Sequence, residues 1–85
     1  MPEVSRFFGV VIAVYFRDHP PPHFRAIYGE FEATIEIRTG IASGDLPQRV
    51  LAFVEEWRNM HEFELLFDWD LAQAGLPLIR IEPLE

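Results

Sequence analysis

The 85 residues contain no cysteine and no lysine. The first absence excludes disulfides, thiolate metal sites and thiol nucleophiles, on which many domains of this size depend. The second leaves seven Arg as the only permanent side-chain cations against fourteen acids, for a net charge of −7. Long apolar runs are missing too. The most hydrophobic stretch, Phe7 to Phe16, is bounded by Arg6 and Arg17 and falls well short of the about 20 residues that a membrane-spanning helix needs. Glu3 precedes it and no Ala-x-Ala-like cleavage site follows, so it reads as a strand rather than a signal peptide. The expectation is a cytoplasmic protein with no membrane partner. There is also no Gly-rich phosphate loop, no GxSxG and no HExxH, so no cofactor is expected and nucleotide-loop and zincin chemistries are set aside.

What is present suffices for one core. The chain is 49% apolar with eight Phe, and for its mass the usual scaling buries roughly 64% of the unfolded surface. No repeat, linker or low-complexity segment divides it, so residues 1–85 read as a single domain. The acidity is uneven: Met1 to Gly44 holds five acids and four Arg, whereas Asp45 to Glu85 holds nine acids and three Arg. Non-specific nucleic-acid binding needs several phosphate-neutralising cations, and strong binding of that kind is not expected.

The patterning predicts an α+β fold, a small antiparallel sheet of three to four strands packed against one long or two consecutive C-terminal helices. Phe7 to Phe16 is apolar at both parities, as a central strand covered on both faces would be. Phe24 to Tyr28 reads as a second strand, and Gly29-Glu30 as a two-residue hairpin turn. Beyond it Phe31, Ala33, Ile35 and Ile37 alternate with Glu32, Thr34, Glu36 and Arg38, the period-2 pattern of a strand with one wet face. Thr39 to Leu46 reads as a loop. Asp45 and Pro47 mark a helix start. Val50, Val54, Trp57, His61 and Leu65 then recur at spacings of three and four, which makes the following region an amphipathic helix. Run unbroken to Ala74, it would leave Phe63 and Leu66 off the stripe, so a kink or split is expected near Asn59 to His61. Gly75 and Pro77 stop it, and Leu78 to Ile81 would add a short edge strand.

Several short motifs carry a resemblance: Met1-Pro2 with Ser5-Arg6-Phe7-Phe8-Gly9, Asp18-His19 with Pro21-Pro22-His23-Phe24, Leu46-Pro47 with Arg49, Glu56-Trp57 with His61, Glu64-Leu65-Leu66 with Trp69, and Ile81-Glu82-Pro83-Leu84. In these the chain resembles a bacterial family of unknown function, DUF4160. The resemblance implies little chemistry. It does imply a cytoplasmic component of a two-gene, toxin–antitoxin-like module, whose partner is another protein, the product of an adjacent gene. Two positions depart from the family pattern: Pro20 stands where the family commonly has Asn, and Arg25 where it has a further His, so the His-Phe-His triplet is incomplete here.

Two groups of residues are candidates for function. The segment Asp18 to Arg25 places two His, an Asp and an Arg around three consecutive prolines, and stiff loops of this kind present side chains well. His19, His23 and Arg25 have the types needed for a metal-independent ribonuclease, as acid, base and phosphate clamp. Arg17 and Asp18 adjoin them as binding residues. A metal site is not expected, because three extended prolines at about 3.1 Å each hold the two His backbones about 12 Å apart. The second group is acidic. Glu55 to Asp70 concentrates six acids, and Glu55 and Glu62 on that surface, with Trp69 as an apolar anchor, would bind a basic protein. A homodimer is the expectation in the partner's absence, through an open sheet edge. His61 and Trp57 continue the apolar stripe and read as core.

Overall fold

The computed structural model describes residues 2–85; Met1, the first residue of the Met1-Pro2 match, lies outside it. The chain runs β1 (Glu3–Phe7), β2 (Val10–Ala13), β3 (His23–Tyr28), β4 (Phe31–Glu36), β5 (Ala42–Asp45), α1 (Gln48–Met60) and α2 (Glu62–Gln73). The strands form one antiparallel sheet in the order β1-β2-β3-β4-β5, each hydrogen-bonded to its neighbour in sequence. The α+β architecture with two consecutive C-terminal helices is as the patterning predicts, with five strands instead of three or four. No helix among the described residues is long and apolar enough to cross a membrane.

The additional strands come from two segments that the sequence presents differently. Phe7 to Phe16 is not one central strand. It contains a hairpin in which Phe7 pairs with Val10 across Phe8 and Gly9, and both turn residues have positive φ, +49° and +81°. That conformation suits a two-residue turn between twisted strands, and glycine adopts it without the Cβ clash that other residues meet. The centre of the sheet therefore passes to β3. The other extra strand, β5, replaces the expected loop. Its sequence Ala-Ser-Gly-Asp is poor in strand formers, but Gly44 lies opposite Ala33, where an added Cβ would come 2.5 Å from the Glu32 carbonyl oxygen. Only glycine lets the two backbones pair that closely. Asp45 is thus a strand residue, not a helix cap; Pro47 precedes α1 and no side chain caps it.

Alternation in β3 and β4 places Phe24, Ala26, Ala33 and Ile35 on one face, where they are buried with Phe7, Val10 and Ile12. The helices cover this face through Val50, Val54, Trp57 and Leu65, all closed to solvent. Trp57 lies at the centre, 5.4 Å from the Phe7 ring and 5.9 Å from that of Phe24. The helices part at His61, whose φ of −127° lies outside the helical range. The break lets Leu65 and Trp69 bend back onto the core, which a single straight helix about 40 Å long would overshoot.

The tail after α2 does not form a strand, but it straps the domain. The Ile81 N–H donates to the Val4 carbonyl at 2.8 Å, the Trp57 indole N–H to the Glu82 carbonyl at 2.8 Å, and Arg80 pairs with Glu3 at 3.0 Å. The hydrogen bonds from Arg6 and Arg80 hold the Glu3 carboxyl well below its ordinary value, at about 2.

Trp57→Ala is expected to cost about 3 to 5 kcal/mol. Trp57→Phe, which keeps an aromatic ring and leaves the Glu82 carbonyl without its donor, is expected to cost less. Urea unfolding of the three proteins checks both; a Trp57→Ala protein with the wild-type midpoint would contradict the packing described.

Candidate functional site

The loop after β2 brings most of the expected site residues together. Alternation points His23 and Arg25 to the sheet face away from Phe24, with Arg25 opposite Thr34 and His23 opposite Glu36. The prolines do not run straight: the Pro20–Pro21 bond is cis, and the His19 and His23 rings lie 6.3 Å apart. Asp18, His19, His23, Arg25, Thr34 and Ser43 are among the residues lining a polar depression of about 240 Å³.

Hydrogen bonds tie this corner together. The His23 Nδ1 lies 2.8 Å from the Pro21 carbonyl oxygen and its Nε2 lies 2.9 Å from Asp18 Oδ2. Burial pushes the Asp18 carboxyl up, but the His19 backbone N–H and the His23 ring outweigh it and hold the group below its ordinary value. Asp18 is therefore a carboxylate. A carbonyl and a carboxylate only accept, and each His23 ring nitrogen faces one such acceptor. The His23 ring packs at a tilt against Trp69, 5.0 Å between centres. Both of its nitrogens are thus engaged within the protein.

Arg25 is similarly engaged. Its guanidinium lies 4.4 Å from the centre of the Tyr15 ring, 3.7 Å from Asp18 and 3.5 Å from Glu32. His19 alone of the three is open, its side chain 91% exposed and 3.1 Å from Asp18. Arg17 points elsewhere: its guanidinium lies over Gly75 at the end of α2, while its N–H donates to the Ala72 carbonyl at 3.2 Å. No cluster of three or more metal-ligating side chains occurs among the described residues.

The expected acidic surface is also partly consumed. Glu55 forms a two-point ion pair with Arg58, which is buried and donates to the Ile37 carbonyl at 2.7 Å. Glu55 thus anchors a structural arginine that joins α1 to the end of β4. Trp69 is buried in the core and offers no surface anchor. Glu62 remains at the start of α2.

A second site lies between α2 and the tail. Phe63 is 89% exposed and Phe67 55%. Together with Ile79 and Ile81 of the tail they line an apolar groove of about 470 Å³ between α2 and the strap. Asp68 also lines it and is closed to solvent: its Oδ1 accepts the Ile79 N–H at 2.9 Å, while Oδ2 is buried with no hydrogen-bond partner among the described residues. Burial pushes this carboxyl up from its ordinary value. The sequence offered one sign of it, Phe63 off the helical stripe; Leu66, also off that stripe, packs half-buried against the core, while Phe67, four residues from Phe63 and hence on one outward line of α2, gave no such sign.

A family model described as Domain of unknown function (DUF4160) matches residues 9–70, 62 of the 85 residues. The chain belongs to that family. The expected motifs at Ser5 to Phe8 and Ile81 to Leu84 lie outside the matched span. No curated protein and no solved structure matches the chain.

Asp18→Ala removes the acceptor of the His23 Nε2–H and of the His19 N–H, and it should lower stability at neutral pH by about 1 to 3 kcal/mol. The sign with pH follows from the lowered folded value: the contribution of Asp18 is complete above its ordinary value of 3.8 and is lost as pH falls through the lower folded value. Thermal melts of both proteins from neutral pH downward should therefore converge in acid. Parallel curves at all pH values would contradict an ionised Asp18.

Proposed function

We propose that this DUF4160 member is a protein-binding component of a two-gene, toxin–antitoxin-like module of the bacterial cytoplasm, and that it binds the product of an adjacent gene through α2 and the tail. One observation carries the binding reading. Phe63 and Phe67 stand largely in solvent beside a preformed apolar groove. Contiguous exposed apolar surface of this kind is costly for a small protein unless something covers it. The two-gene setting rests on the resemblance of the family to paired genes, and the groove supplies a surface on which such a partner would sit.

The ribonuclease reading retains one supporting observation, the common pocket of His19, His23 and Arg25. Against it, catalysis needs one group to accept a proton and another to donate one. Both His23 nitrogens are engaged, by the Pro21 carbonyl and by Asp18, and Arg25 is shared between two acids, so neither is free for that work. The loop serves better as a rigid connector that closes one end of the sheet.

Co-expression with the product of the adjacent gene separates the two. Phe63→Glu, at a side chain that packs on almost nothing, should abolish co-purification while leaving the melting temperature unchanged, and His19→Ala should leave the complex intact. A complex indifferent to Phe63→Glu, together with an RNA-cleaving activity lost in His19→Ala, would replace this reading with the other.

A further inference from the structure

We infer that the groove between α2 and the tail takes a basic amphipathic helix of the partner, with apolar anchors one turn apart that meet Phe63 and Phe67 and cationic residues that meet the acids around them. This rests on the protein-binding reading and specifies the chemistry of what is bound.

The shape of the groove argues for a helix. Phe63 and Phe67 are four residues apart on α2, so they form a ridge along its axis with a spacing of about 6 Å, and ridges of this spacing fit between the side chains of a second helix. The tail on the other side, through Ile79 and Ile81, turns the ridge into a groove instead of a flat face. An amphipathic helix laid in such a groove reads it through anchors at i and i+3 or i+4.

The charge argues for a cationic one. Glu64 lines the groove beside Phe63, and Glu62 and Asp70 lie on the same helix. The one cation of the lining, Arg80, is already paired with Glu3 at 3.0 Å. That Glu3 is shared with Arg6, and Glu64 lies 2.6 Å from the His61 ring, but α2 itself carries Glu62, Glu64 and Asp70 with no Lys or Arg, so a partner with Lys or Arg flanking its anchors supplies the missing sign. The same charges disfavour a second copy as occupant. A two-fold interface sets one patch against itself, so Glu62, Glu64 and Asp70 would confront their own counterparts between chains that each carry −7.

Two synthetic helices of about 18 residues, identical in their Leu face but flanked in one case by Lys and in the other by Glu, test this on the full chain. The Lys peptide should bind, and binding should weaken about tenfold or more as salt rises from about 50 to 500 mM. Phe63→Ser and Phe67→Ser should each weaken it at least as much at low salt; Phe63→Ser keeps the test valid should Phe67→Ser disturb the fold. Equal binding of the two peptides, or Lys-peptide binding indifferent to Phe63→Ser, would overturn the inference. So would a homodimer at low salt that Phe63→Ser dissociates. An adjacent-gene product that co-purifies in a Phe63-dependent way through a neutral or acidic helix would overturn the charge argument alone and leave the protein-binding reading standing.

Discussion

Trp57 joins every layer of this protein. Its ring is packed between Phe7 of the first hairpin, Phe24 of the central strand and His61 at the helix break, and its one polar atom holds the tail through the Glu82 carbonyl. A domain of this size has room for only one such centre, because so much of its volume lies near the surface. The placement of the other elements follows. The helices must part at His61 for α2 to return over the indole, and the tail must cross back to β1 for Glu82 to reach it. The groove between α2 and the tail is a consequence of this crossing: a strap tied at Glu82, Ile81 and Ile79 cannot also lie over Phe63 and Phe67.

How far the fold was legible depended on whether side chains or backbone decided each element. The alternation from Phe31 to Ile37 and the stripe from Val50 to Leu65 are side-chain signals, and both appear as strand and helix on the faces they imply. Phe7 to Phe16 misleads because the turn within it uses Phe8 at positive φ, a position where Asn or Asp would have announced a hairpin. The strand β5 misleads in the opposite way. Its residues favour loops, and only the close approach allowed by Gly44 to the Glu32 carbonyl makes the pairing available.

The candidate residues divide along the same line. Sequence types alone drew attention to Asp18, His19, His23 and Arg25, and the fold does gather them. Their contacts decide what they can do, and those contacts, with the Pro21 carbonyl, Glu32 and the face of the Tyr15 ring, depend on how the loop folds back and on the β3–β4 register. Glu55 appeared as surface charge because, although Arg58 stands three residues on along the same helix, nothing in the sequence shows that this arginine is buried. Of the two groove phenylalanines, Phe63 was legible only as a residue that did not fit the stripe, and Phe67 was not legible at all. In a protein with a core built around one tryptophan, apolar residues left outside that core are the strongest indication of where another molecule completes it.

Hydrogen–deuterium exchange on the complex with the adjacent-gene product tests this most directly, since it reports where the partner lies without any substitution. The account predicts slowed exchange over Glu62 to Ile81, with the amides of Asp18 to Arg25 and of Ala42 to Asp45 unchanged. Protection confined to the Asp18 to Arg25 loop or to the β5 edge, with α2 and the tail exchanging as in the isolated protein, would contradict it.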